Sequence, residues 1–147
     1  MKIYLACTVR GDRSAVVGLR ALVAALEADG HEILTKHLLD DNVEGAESRL
    51  SEREVYERDV AWLDACDLLI ADASGSSFGV GFEVGYVLGR ADRSRQSVLL
   101  LYRADRRPLI SRLISGNSHP RCTTIAYTDA SDLPNRIASL LVLPNNR

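Results

Sequence analysis

A parallel α/β sheet with helices on both faces is what this sequence predicts, and three features predict it. Short unbroken apolar runs such as KIYLAC, DLLIAD and SVLLLY suit strands buried on both sides. Stretches with apolar residues at helical spacing separate those runs. Glycine, serine and charged residues gather at the junctions. Five strands can be read this way, which points to a doubly wound, flavodoxin-like domain over residues 1–147.

Residues 2–7 read as the first buried strand. Ser14 is placed to cap a helix whose apolar positions Leu19, Leu22, Val23 and Leu26 share one face, with Gly30 as its stop. His31–Lys36 reads as a second short strand, and residues 38–50, acidic and weakly patterned, as a surface excursion. Ser51 and Glu54 have capping-box spacing and open a helix to about Ala65. Asp67–Asp72 is the third strand and Gly79–Gly89 the next helix. Ser97–Tyr102 and Thr123–Tyr127 follow as strands, and a last helix runs from about Ser131 to Leu141. No repeat, low-complexity tract or linker interrupts the pattern.

Composition narrows the function. With 46% apolar and 26% charged residues the chain is ordinary globular protein. A net charge of −2 with mixed signs leaves no basic field for a nucleic-acid polymer. Cys7, Cys66 and Cys122 are odd in number and lack CxxC spacing, which favours a reduced, cytoplasmic setting and disfavours zinc. The apolar run at the start is too short for a signal peptide, and no stretch suits a membrane span.

Ligands of such folds sit beyond the carboxyl ends of the strands. The loops to examine are therefore 7–14, 37–50, 73–80 and 103–120. In the third, SSFGVGFEVGY sets Glu83 among glycines and apolar residues. A carboxylate there, in the first turn or so of its helix, either serves the helix terminus or has chemistry to do. Asp59 lies on the stripe of Tyr56, Val60 and Leu63, as a stripe-edge residue reaching for water or as a partner to Glu83. Two carboxylates at one strand end can divide into an ionised and a protonated member, as glycosidic-bond cleavage requires. The loop Cys7-Thr8-Val9-Arg10-Gly11-Asp12-Arg13-Ser14 is either a solvated turn or a phosphate cradle with two arginines. It is no Walker loop, and GVGFEVG follows a loop of the wrong length for a dinucleotide fingerprint. Tyr4 is core or a hydroxyl aimed at a carboxylate; His37 is a ligand contact or a surface imidazole.

As a set, IYLACTVRGDRS, ILTKH, ERDVAWLDACDLLIADASGSSFGVGFEVG and LISGNSHPR closely resemble the 2'-deoxynucleoside 5'-monophosphate N-glycosidases of the nucleoside 2-deoxyribosyltransferase superfamily. The resemblance runs in order from about Lys2 to Leu141. It implies a flavodoxin-like fold, homodimers with shared active sites, a nucleoside 5'-monophosphate substrate and no metal or other cofactor. It makes Glu83 the nucleophile at the anomeric carbon, Asp59 the group assisting departure of the base, and Tyr4 the residue orienting Glu83. Arg10, Gly11 and the neighbouring amides of Cys7, Thr8 and Val9, with Ser77 and Gly79, would grip the phosphate. His37 matches a sugar–base position, and Ser118, with Asn117 as its rival, a residue lent by the partner subunit. Cys7 and Thr8 replace a Gly-Ser pair of the animal enzymes. Two other readings of the same residues are a base-exchanging transferase and a non-catalytic nucleotide-binding module.

Overall fold

The structure, a computed structural model, describes residues 1–90 and 92–142; Ala91 and 143–147, part of the domain read from the sequence, lie outside the described residues. Its five strands are β1 (Lys2–Ala6), β2 (Glu32–Ile33), β3 (Leu68–Asp72), β4 (Ser97–Arg103) and β5 (Cys122–Tyr127). All pair in parallel in the order β2-β1-β3-β4-β5. This is the doubly wound order, and its switch point lies between β1 and β3.

Alternation along each strand builds two cores. Ile3, Leu5, Leu68, Ile70, Leu99 and Leu101 face α1 (Val16–Ala28) and α6 (Leu133–Val142). Tyr4, Ala6, Leu69, Ala71, Val98 and Leu100 face α3 (Glu52–Ala65) and α4 (Phe78–Leu88). Both faces of the sheet are thus dry at β1, β3 and β4, which is why these three strands read as continuous apolar runs. Among the described residues, no helix is long and apolar enough to cross a membrane.

Of the helix signals read from the sequence, the Gly30 stop and the Ser51–Glu54 box form and the Ser14 cap does not. Helix α1 buries Leu19, Leu22, Val23 and Leu26 and ends at Gly30, whose φ of +81° suits glycine. There the His31 and Gly30 amides donate to the carbonyls of Leu26 and Glu27, both at 3.0 Å, closing a Schellman motif. Ser51 and Glu54 form the expected capping box. Ser14 does not cap α1, which starts at Val16. Its amide donates to Asp12 at 2.9 Å, and its hydroxyl accepts from Arg103 at 2.7 Å. A tertiary partner has outbid the local one.

Three further expectations change. The strand read as His31–Lys36 keeps only Glu32–Ile33 as regular ladder. At Thr35 the side chain takes over, its hydroxyl accepting from the Leu5 amide at 2.8 Å and donating to the Leu5 carbonyl at 2.7 Å. Freed from the sheet, the chain turns into a 3₁₀ helix at Lys36–Leu39. The excursion 38–50 is not wholly superficial, because it buries Leu38, Leu39 and Val43 and contains α2 (Val43–Glu47). The loop 103–120 likewise holds a 3₁₀ turn (Ala104–Leu109) and α5 (Arg112–Ser115).

The packing of α1 against the start of α6 is close enough to make a stability prediction. A Cβ on Gly18 would lie 2.1 Å from the Cβ of Ala130. Gly18→Ala therefore forces α1 and the 130–132 turn apart, outweighing alanine's better helix propensity. The expected loss is about 1–3 kcal/mol, read from chemical denaturation. A midpoint at or above that of the unmutated protein would contradict the overlap.

Candidate active site

Glu83 belongs to α4, which begins at Phe78, so it stands in the second turn rather than the first. It is too far along to serve the helix terminus. Tyr4, fully buried in the middle of β1, points to the same face and donates its hydroxyl to Glu83 Oε1 at 2.6 Å. Glu83 and Asp59 line one cleft of about 130 Å³ between α3 and α4, together with Tyr56, Val60, Leu63, Gly79 and Phe82. Asp59 comes from α3, where its side chain retains 25% exposure.

The electrostatics follow from this packing. Burial is the main reason that the Glu83 carboxyl is pushed up to about 7; the charges of Asp59 and Glu47 add to the rise, and the Tyr4 hydroxyl opposes it. Burial and the Glu83 charge hold the Tyr4 phenol well above its ordinary range, so it stays a donor. A hydroxyl donor fits an ionised Glu83, which is what a nucleophile needs.

Beside this cleft stands a charged cluster. Arg58 donates to Asp59 at 2.8 Å and to Glu47 of α2 at 2.7 Å, and its guanidinium lies 4.9 Å from the centre of the Trp62 ring. His37 lies 3.5 Å from the Glu47 carboxylate and 5.6 Å from Trp62, ring to ring. Sequence reasoning singled out neither Arg58 nor Glu47. The only hint was that Arg58 adjoins Asp59; Glu47 sits in the weakly patterned segment and carries no hint at all.

The first loop divides. Cys7 turns into the α1-side core, its Sγ 4.0 Å from the Leu38 carbonyl, and burial pushes its thiol up to about 12. Only its backbone can meet a ligand. Thr8 is buried with its hydroxyl unpartnered, and Val9 packs against the same core. Arg13 is committed to structure, holding the carbonyls of Thr8, Leu38 and Asp40 at 2.8, 2.8 and 3.0 Å. Arg10 is exposed, 3.4 Å from Glu44 of α2. Gly11 has φ +116°, a left-handed conformation that costs glycine little.

The third loop packs against the first. A Cβ on Gly75 would lie 2.2 Å from Thr8 Oγ1, so only glycine lets the two loops meet. Asp72 anchors this loop from beneath, accepting from the Ser74 amide at 2.9 Å and the Tyr127 hydroxyl at 2.8 Å. Burial raises the Asp72 carboxyl, and these hydrogen bonds oppose the rise. Ser77 caps α4, its hydroxyl 3.5 Å from the Val80 amide. Gly79 is exposed at that terminus.

Asn117 and Ser118 are not brought to the cleft of their own chain. They precede β5 on the far side of the sheet, where Asn117 accepts from the His119 amide at 2.9 Å and the Arg121 carbonyl pairs with the start of β4. A larger open groove of about 590 Å³ runs beside α1, but its charges are mutually satisfied: Lys36 pairs with Glu27 at 2.7 Å, and Arg20 with Asp41. The narrower cleft holds the paired carboxylates, Glu83 and Asp59.

Comparisons with known proteins bear on the family and the fold. The family model described as nucleoside 2-deoxyribosyltransferase matches residues 3–135. A relative from Thermofilum pendens, which bears the provisional name 2'-deoxynucleoside 5'-phosphate N-hydrolase 1, is 38% identical over 141 residues, covering 96% of this chain and 95% of that protein. The 5-hydroxymethyl-dUMP N-hydrolase of Danio rerio is 33% identical over 119 residues and 80% of each chain. The structure of the Clostridium botulinum CMP N-glycosidase BcmB matches with a TM-score of 0.70 over 95% of this chain and 99% of that one, at 19% identity, a likeness of fold. The chain therefore belongs to the nucleoside 2-deoxyribosyltransferase family.

Proposed function

We propose that this protein hydrolyses the N-glycosidic bond of 2'-deoxynucleoside 5'-monophosphates, releasing the free base and deoxyribose 5-phosphate. The observation that carries this is the half-buried Glu83, hydrogen-bonded by Tyr4 at 2.6 Å and sharing its cleft with Asp59. The names of the relatives support the same reaction. An oxygen of Glu83 bonds to C1' as the C1'–N bond breaks, and the bond's electron pair leaves with the base. The base, its departure assisted by Asp59, takes up a proton from water. Water then cleaves the sugar–Glu83 ester, giving deoxyribose 5-phosphate and restoring the carboxylate. Gly79, one turn before Glu83 on the same face of α4 and lining the cleft, leaves room for the sugar.

The phosphate grip is assigned to the meeting of the first and third loops. The two loops meet where Gly75 packs on Thr8, whose hydroxyl is unpartnered; in this reading the amides of residues 7–11, Ser77 and the amino end of α4 at Gly79 donate to the phosphate, and Arg10, exposed beside Glu44, adds its charge. Base release from a panel of nucleosides and their 5'-monophosphates tests the reading, with monophosphates expected to be strongly preferred. Arg10→Ala and Ser77→Ala should each cost monophosphates about ten- to a hundredfold in kcat/KM and nucleosides far less. Equal use of nucleosides and monophosphates by the unmutated protein would favour base exchange between nucleosides, which uses the same carboxylates.

The working unit in this reading is a homodimer. Phe78 is 99% exposed, Tyr56 and Phe82 are half exposed beside the cleft, and Leu113 of α5 is 84% exposed. A second copy is the occupant that also gives Ser118 or Asn117, remote from the cleft of their own chain, a site to complete. Mixing Glu83→Ala with Ser118→Ala subunits should restore activity through the sites that carry neither lesion. Full activity from a monomer would end this part of the proposal.

A further inference from the structure

Of the charged cluster beside the cleft, only Asp59 has a part in the reaction described so far. Its central member is Arg58, whose side chain is only 22% exposed and is fixed from three directions. Glu47 holds one end of the guanidinium at 2.7 Å, Asp59 accepts from Nε at 2.8 Å, and Trp62 lies under its plane at 4.9 Å. Consecutive residues on a helix do not face each other. A bond between Arg58 and Asp59 therefore requires both side chains to lean to the same side. The partners that pull Arg58 there, Glu47 on α2 and Trp62 one turn along α3, set the direction. Asp59 is left with one carboxylate oxygen engaged and the other free.

We propose that Arg58 is a positioning residue for base departure: it holds the Asp59 carboxyl toward the Glu83 cleft and is itself aimed by Glu47. The proposal rests on the N-glycosidase reading of the site. Three observations favour this role over surface solubility. Both ion pairs are largely shielded from solvent, with Glu47 at 19% and Asp59 at 25% exposure, so they retain strength that exposed pairs lose. The guanidinium satisfies two carboxylates at once, a task for its fork that lysine's single ammonium performs less well. And Glu47 closes the chain: it lies 3.5 Å from His37, so the cluster extends from the 3₁₀ turn after β2 to α3. The short helix α2 thereby acquires a purpose its sequence did not disclose.

The consequence falls on the bond-breaking step. A mispointed Asp59 gives less help to a leaving base while substrate still binds, so kcat should fall and KM should hold. Poorly leaving bases should suffer more than readily leaving ones.

The test uses Arg58→Gln, Arg58→Lys and Glu47→Gln in the full chain, each first checked by thermal melting, with steady-state kinetics on dUMP and 5-fluoro-dUMP as a pair differing in leaving ability. Expected are a ten- to hundredfold fall in kcat for Arg58→Gln with KM changed by less than about threefold, a larger fall for dUMP than for its fluoro analogue, partial rescue by Arg58→Lys, and an intermediate loss for Glu47→Gln. Unchanged kcat in a folded Arg58→Gln protein, equal losses on both substrates, or no difference between Gln and Lys would overturn the proposal. Absence of base release by the unmutated protein would instead overturn the N-glycosidase reading. The Arg58 proposal would then be decided by a crystal structure of Arg58→Gln: Asp59 turned away from Glu83 supports it, and Asp59 unmoved refutes it.

Discussion

Glu83→Gln abolishes base release while leaving substrate binding largely intact and making the protein more resistant to unfolding. The loss should reach roughly three powers of ten or more in kcat, because covalent catalysis divides one hard step into two and its removal leaves only binding and polarisation. Glutamine keeps the shape and still accepts from Tyr4, so the cleft need not rearrange. The stability gain has a separate origin. Folded Glu83 holds its proton up to about 7, against an ordinary value of 4.5. Between those pH values the folded protein therefore binds more protons than the unfolded one and loses stability as pH rises through them. A neutral side chain escapes that loss. The variant should gain about 2–3 kcal/mol at pH 8 and almost nothing at pH 4.5. Melting curves at both pH values read the difference, and a gain independent of pH would contradict the burial argument. An adduct of a 2'-fluoro nucleotide analogue on the Glu83 peptide, seen by mass spectrometry, separates a nucleophile from a proton donor with the same raised carboxyl.

Tyr4→Phe moves the acid limb of the kcat/KM profile upward. In the unmutated protein that limb should fall near pH 7, because attack needs the ionised Glu83, held at about 7 in the free protein. The Tyr4 hydroxyl, donating at 2.6 Å, favours the ionised form and opposes the rise caused by burial. Its removal should lift the limb by about one to two pH units, the equivalent of a charge-assisted hydrogen bond worth about 1.5–3 kcal/mol. Activity at pH 7 then drops about five- to fiftyfold and recovers in part as pH rises. Phenylalanine fills the same buried volume, so folding should survive. A uniform loss with the limb unmoved would show that Tyr4 acts on the substrate rather than on the nucleophile.

Strand and helix order were legible from local periodicity. Apolar runs buried on both faces, the Ser51–Glu54 capping box and the Gly30 stop are signals carried by neighbouring residues, and the parallel sheet follows from them. Glu83 and Asp59 were legible as a candidate pair because a carboxylate on an apolar helix face stands out against its own neighbours. The tertiary structure alone decided what each polar group meets. It turned the Cys7 thiol into the core, committed Arg13 to three carbonyls, gave Ser14 to Arg103 instead of a helix end, and left Asn117 and Ser118 away from their own cleft. It also let the Thr35 hydroxyl end β2 early and brought Glu47 across to Arg58. The reason is common to all of these. Periodicity states which side of an element avoids water, a property of residues a few positions apart. A hydrogen bond or ion pair between distant residues depends on how two elements are docked, and only the packed core fixes that.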